Sequence, residues 1–220
     1  MPKSTFINLS QEKRERILDT CYLEFSKYNY REASVTRIVA EAGIAKGSIY
    51  KYFEDKKDLY QYLIDHAVQT KFSYIDHHRR RDTQSIWEEL WSGIEVGSRF
   101  DFQFSRYAQF LNRALSPAND LFDIDTRTMV LEQSHQYLQQ FIAKGLAQGE
   151  IRADVQPDLI SRFVNLVLAK ASQILAEKRS MSILEFTSQY SDQNFEEILA
   201  EVRELYELIL TGISRVKNPI

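Results

Sequence analysis

The sequence predicts an all-α protein of about nine helices, arranged as a small N-terminal head on a larger helical body. Three observations lead there. Seven glycines and four prolines in 220 residues leave few breaks, so long regular elements are expected. Apolar residues recur at three- and four-residue spacings along most of the chain, while strict alternation is nearly absent. Residues suited to helix ends stand where those periodic stretches begin and stop.

The elements follow in order. Ser10 can cap a helix whose inner stripe reads Ile17, Leu18, Cys21 and Phe25, ending near Lys27 where Tyr28-Asn29-Tyr30 turns the chain. Ser34 can cap a short helix from Val35 to Ala42, and Gly43 sits just past its end, the usual left-handed stop. A very short helix is expected from Lys46 to about Tyr52, about 10 Å long. Asp55 caps a fourth, with Asp58 in its first turn, where carboxylates suit the helix dipole. Leu59, Leu63, Ala67 and Val68 form its inner stripe, and it can run to about His78. Arg79-Arg80-Arg81-Asp82 reads as a solvated hinge. The body reads as helices near Ser85–Gly97, Phe100–Leu115, Thr126–Gln148, Asp158–Arg179 and Phe195–Val216, punctuated by Pro117, Gly149 and Pro157.

Composition excludes several classes. A hydrophobic fraction of 44% with 27% charged residues is that of a globular chain, not a disordered or collagen-like one. No unbroken apolar run reaches the roughly 18 residues of a membrane span, and the N-terminus lacks a signal-peptide core. The single cysteine, Cys21, can make neither an intrachain disulfide nor a thiolate metal cage. A cytoplasmic protein is expected, with no membrane partner. The net charge is −3, yet residues 1–60 hold eleven Lys/Arg against nine Asp/Glu, while the remainder holds 17 against 22. A mildly basic head on an acidic body allows a local phosphate contact.

Catalytic and metal motifs are missing. There is no Gly-rich phosphate loop, GxSxG elbow, HExxH or paired-Cys motif. His66 and His77 lie three helical turns apart, and His77 and His78 diverge around the helix, so no metal and no cofactor is expected. No spaced acid–base pair suggests an enzyme.

The informative stretch is residues 34–53. Two short helices joined by a tight turn with glycine form a helix-turn-helix unit, and a helix as slight as the second fits the DNA major groove, about 12 Å wide. Ile49 and Phe53, four apart, can point inward. Lys46, Gly47, Ser48, Tyr50, Lys51 and Tyr52 are left for the outer face and rim: two cations, three hydroxyls, and a glycine that lets the backbone come close to DNA. Each residue taken alone is better explained as solvated surface than as a contact.

Taken together, Ala33-Ser34-Val35-Thr36-Arg37-Ile38-Val39, Ala42-Gly43-Ile44-Ala45-Lys46-Gly47-Ser48-Ile49-Tyr50-Lys51-Tyr52-Phe53 and Asp55-Lys56-Lys57-Asp58-Leu59 resemble the N-terminal signature of the TetR-type transcriptional regulators. Residues 145–152, Gly-Leu-Ala-Gln-Gly-Glu-Ile-Arg, followed by Pro157-Asp158-Leu159, are similar to a helix junction of the same family. The resemblance implies an all-α homodimer with a helix-turn-helix head at 1–54, a connecting helix at 55–78, and an effector-binding and dimerisation body at 79–220. It implies that Lys46, Gly47, Ser48 and Tyr50 lie nearest the bases and that Thr36, Tyr52 and Lys56 hold phosphates; Lys51 joins the DNA-binding set as a point charge on the same short helix. One departure is Ala45, where the family often has a Ser or Thr to cap the second helix.

The helices at 158–179 and 195–216 are apolar nearly all round. Periodicity alone allows either an intrachain core or a partner's surface; the resemblance selects a dimer, with Phe163, Val167, Ile174, Leu205, Ile209 and Ile213 at its interface. Large rings crowd residues 87–141, and an apolar pocket for a small effector is expected to draw on Trp91, Phe104, Tyr107, Phe110, Gln133, Tyr137 and Asn165, although each also serves as ordinary core. The expected function is a sequence-specific regulator, a repressor released from a near-palindromic operator by a lipophilic or aromatic effector. The alternative is a constitutive activator or architectural factor without an effector.

Overall fold

The computed structural model describes residues 2–114, 124–182, 185–186 and 194–213. Among them are ten helices: α1 (Ser4–Ile7), α2 (Gln11–Lys27), α3 (Val35–Glu41), α4 (Ser48–Tyr52), α5 (Lys56–His78), α6 (Ile86–Gln103), α7 (Ser105–Ala114), α8 (Ile124–Ala147), α9 (Pro157–Lys178) and α10 (Phe195–Ile213). Nine match the expected series; α1, a single turn, is too short to leave a periodic signal. The break expected near residues 97–100 falls instead at Phe104.

The helix ends show the expected chemistry. Ser10 accepts from the Lys13 amide at 3.4 Å and Ser34 from the Arg37 amide at 3.3 Å. Asp55 accepts from the Asp58 amide, while Asp58 reaches back to the Glu54 amide at 3.1 Å. Gly43 (φ 64°) and Gly149 (φ 70°) end α3 and α8 in the left-handed region. After each glycine the next amide folds back five residues: Ile44 N–H to the Val39 carbonyl, Glu150 N–H to the Gly145 carbonyl. Both are Schellman closures that satisfy orphan carbonyls.

The chain divides into two compact units, residues 1–71 with 104–127, and residues 72–103 with 128–220. This division differs from the expected one in two ways. The boundary falls inside α5 instead of at Arg79–Asp82, and α7 joins the N-terminal unit. The cause is the pair Tyr107 and Phe110, which packs on α2. Tyr107 lies 4.6 Å from Tyr22, and Phe110 lies 5.2 Å from both Tyr22 and Tyr60, centroid to centroid. Arg113 adds hydrogen bonds to the Ser26 carbonyl and the Asn29 side chain, and Arg106 pairs with Asp19 at 2.8 Å. Cys21 is fully buried in this core, where burial first and Glu24 second push its thiol pKa up, so it packs instead of reacting.

The second unit has its core among α6, α8, α9 and α10, with Ile86, Leu90, Phe141, Ile160, Val164 and Tyr206 at its centre. The Tyr206 hydroxyl donates to the Trp87 carbonyl. The expected solvated hinge is instead anchored. The Arg79 guanidinium pairs with Glu89 and lies 5.1 Å over the Phe141 ring, and Lys144 pairs with the other oxygen of Glu89. Arg81 pairs with Asp76, and the Arg80 amide donates to Ser92 Oγ. A carboxylate buried like Glu89 needs such partners.

Candidate nucleic-acid interface

The N-terminal unit presents α3, a tight turn and α4. Ile38, Val39, Ile49 and Phe53 are buried beneath this pair and fix one face of each helix inward. Glu24 on α2 sets the entry. Its buried carboxylate accepts from the Ser34 amide at 2.6 Å and from Arg37 Nε and Nη2 at 2.9 and 2.6 Å. The Arg37 guanidinium also lies 4.3 Å over the Tyr28 ring. The first turn of α3 is thereby tied to α2 by charge-assisted bonds.

Helix α4 begins at Ser48, two residues later than expected. Lys46 and Gly47 form a turn in which the Ser48 amide donates to the Ala45 carbonyl at 2.8 Å. No side chain caps α4. The residue at its N-cap is Gly47, which has no side chain to accept from the orphan amides, and Ala45 before it brings no hydroxyl either.

The expected DNA-facing residues separate into two groups. Thr36, Lys46, Gly47, Tyr50 and Lys51 are exposed, Tyr50 at 51%, and Ser48 is half-buried. Tyr52 is 7% exposed, its ring 5.7 Å from Phe6, because it sits on the inner side of a one-turn helix against α1. Lys56 turns its ammonium inward. It donates to the Ala33 carbonyl at 2.5 Å and the Arg31 carbonyl at 3.4 Å, and stands 4.5 Å over the Tyr30 ring. Its pKa is lowered, chiefly by burial. Lys56 is thus placed to hold the loop before α3, a role that no motif spacing reveals. Gly47 has an ordinary φ and open space where a Cβ would stand.

Sequence reasoning missed α1. Phe6 is buried against Tyr52, Phe53 and Tyr62. The only trace in the sequence is an isolated aromatic in a polar N-terminus.

The expected pocket set is not brought together in one unit. Phe104, Tyr107 and Phe110 belong to the N-terminal unit, whereas Trp91, Tyr137 and Asn165 belong to the second; the Gln133 side chain lies outside the described residues. Helix α7 turns Tyr107 and Phe110 onto Tyr22 of α2. In the second unit Trp91 lies 5.3 Å from Tyr206. Tyr137 sits between Phe72 and Phe141, at 5.2 and 5.3 Å. Its hydroxyl is buried without a hydrogen-bond partner among the described residues, and burial raises its pKa.

The expected interface set also divides. Ile209 and Ile213, 1% and 6% exposed, are core residues of their own chain. Both lie on the stripe of α10 that faces the Phe141–Tyr206 cluster. Val167 and Leu205 are half-buried. Phe163 and Ile174 are exposed, together with Leu159, Leu166 and Leu208, of which none of the last three was singled out from sequence. This face also explains why α9 reaches a mean hydropathy of 1.3 over 18 residues, enough by length and composition for a membrane span although no unbroken apolar run is present.

The comparisons agree with this geometry. Residues 17–63 match the family model for bacterial regulatory proteins of the tetR family. HTH-type transcriptional regulators of Staphylococcus aureus strains are 30% identical over 82 residues, 35% of this chain and 44% of theirs, so the chain aligns with less than half the length of these relatives. A TetR family transcriptional regulator from Chloroflexus aurantiacus superposes with a TM-score of 0.74 at 29% identity, covering 98% of this chain and 99% of that one. FadR from Bacillus subtilis, solved with stearoyl-CoA, shares the fold at 18% identity, with a TM-score of 0.67 and 90% and 98% coverage. Residues 17–63 thus match the model of the TetR family of bacterial regulatory proteins, and the whole length is similar in fold to a regulator of that family.

Proposed function

We propose that this chain is a dimeric, sequence-specific DNA-binding transcriptional regulator, a repressor that leaves its operator when a lipophilic small molecule occupies the second unit. It acts in the cytoplasm and is not an enzyme. The observation that carries the DNA reading is the outer face of the turn and α4. Tyr50, Lys51 and Lys46 stand exposed over a buried Ile49 and Phe53. Between them is a glycine that neither backbone angle nor internal space requires. Such a glycine is explained by an outside surface approaching the backbone. Lys46, Lys51 and Thr36 serve phosphates, while Tyr50, Ser48 and the Gly47 backbone lie toward base edges.

The exposed row Leu159, Phe163, Leu166 and Ile174 on α9, with Leu208 on α10, supports the dimer. A two-fold pair of heads reads two half-sites about one helical turn apart, which fits a near-palindromic operator. The unpartnered Tyr137 hydroxyl among the rings of the second unit supports an effector with an apolar body and one polar group. The stearoyl-CoA held by FadR is of that kind. An effector acts only by binding the DNA-free arrangement more tightly than the DNA-bound one. The second reading, a constitutive DNA binder without an effector, is favoured by the ring partners that Trp91 and Tyr137 already find within their own unit.

Footprinting on the DNA upstream of the chain's own gene tests the proposal. The expected result is protection of an inverted repeat by wild type and its loss in Gly47→Ala, whose added methyl meets nothing within 4 Å inside the chain. Equal protection by Gly47→Ala removes the argument from Gly47. A thermal-shift screen separates the two readings, since an effector stabilises the chain in a concentration-dependent way.

A further inference from the structure

Helix α4 cannot hold itself. Its five residues form a single turn, no side chain caps its start, and isolated turns are unstable in water. Its last three carbonyls lie beyond the reach of intrahelical donors. All three are taken by one short segment near the N-terminus. Lys3 Nζ donates to the Tyr50 carbonyl at 3.0 Å, the Thr5 hydroxyl donates to the Lys51 carbonyl, and the Lys3 amide donates to the Tyr52 carbonyl at 2.8 Å. Phe6, one residue on, fixes the segment from below, its ring 5.0 Å from Phe53 and 5.7 Å from Tyr62.

We propose that residues 3–6 form a clamp on the C-terminal end of α4, with Lys3 and Thr5 as positioning residues that set the direction in which Tyr50 and Lys51 are presented. The inference rests on the reading of α4 as the DNA-contacting helix, but its structural half does not need DNA. Lys3 stands close enough to the outer face to suggest a direct phosphate contact instead. The geometry favours the clamp, because the ammonium points at a carbonyl of α4 and the neighbouring hydroxyl, which carries no charge, does the same.

The test uses the full chain as Lys3→Met/Thr5→Val, which keeps both stems and removes both side-chain donors, with Thr5→Val alone as the milder variant and Thr5→Ser as the rescue. Hydrogen exchange at the amides of Tyr52 and Phe53 should quicken about fivefold in the double variant, the low end for two exposed hydrogen bonds. It should stay near wild type in Thr5→Ser, and the amides of residues 17–25 in α2 should not change. On a duplex selected by wild type from random sequence, the double variant should bind about fivefold more weakly and discriminate less against a scrambled duplex. The slope of log affinity against log salt should stay the same, whereas loss of a phosphate contact lowers it by about one. Unchanged exchange in α4 overturns the clamp, and unchanged exchange with a shallower salt slope makes Lys3 a phosphate ligand. If wild type selects no duplex, the DNA reading falls, while the exchange result still decides the clamp.

Discussion

Gly145→Ala concerns the junction where α8 meets the core of the second unit. A Cβ at this position would stand 2.6 Å from Ile151 Cδ1, 2.8 Å from Ile151 Cγ1 and 3.1 Å from Ile86 Cγ2. Real Cβ atoms do not come so close, so Ile151 must shift. Ile151 and Ile86 are both buried, and the Ile151 amide is held by the Gly145 carbonyl at 3.2 Å, which leaves little room to yield. Overpacking a core of this kind costs about 1–3 kcal/mol. Alanine returns up to about 1 kcal/mol in helix propensity. The net expectation is about 1–2 kcal/mol of destabilisation, or roughly 2–8 °C in melting temperature for a chain of this length. Trp87 and Trp91, the only two tryptophans, both lie in the second unit, so their fluorescence during urea unfolding reports on this unit. Ile151→Val alone should cost about 0.5–1.5 kcal/mol. Because it removes the methyl that clashes worst, the double variant should be less destabilised than the sum by at least about 0.5 kcal/mol. A Gly145→Ala protein as stable as wild type, or a double variant that is strictly additive, would refute the reasoning.

Three further outcomes are expected. Lys56→Met should lower the stability of the N-terminal unit by about 1 kcal/mol while leaving the salt slope of DNA binding intact; a slope reduced by about one would return Lys56 to a phosphate. Phe163→Glu with Leu166→Glu should convert a dimer to a folded monomer in sedimentation, whereas Ile209→Ala should destabilise the monomer itself by about 2–5 kcal/mol, because only the first two are exposed. Hydrogen bonds and charges from Lys144 and Arg79 outweigh the burial of Glu89, and its folded pKa lies below the usual carboxylate value. Its contribution is therefore full above the unfolded pKa and is lost as pH falls through the lower, folded value. Glu89→Gln should cost about 3 kcal/mol near neutral pH and flatten the acid limb of a stability–pH curve measured by urea unfolding.

Local rules carried much of the structure. Ser10, Ser34, Asp55, Gly43 and Gly149 end their helices as cap chemistry demands, since a cap acts over three or four residues and all its partners are visible in the sequence. The helix-turn-helix was legible for the same reason: its apolar pair, its glycine and its cations sit within twenty residues. What could not be read was any partner chosen across the fold. Lys56 has the charge for a phosphate, but two carbonyls 23 and 25 residues away claim its ammonium.

The amino-acid order by itself determined the helical class, the boundaries of most helices and the helix-turn-helix segment, because periodicity and capping are short-range properties. Only the tertiary structure decided which apolar stripe each helix turns inward. It sent Tyr107 and Phe110 to α2, buried Ile209 and Ile213 while leaving Phe163, Leu166 and Leu208 exposed, and laid Lys3, Thr5 and Phe6 against the end of α4. A helix with apolar residues on two sides satisfies its own pattern in either orientation, and packing against distant elements breaks that tie.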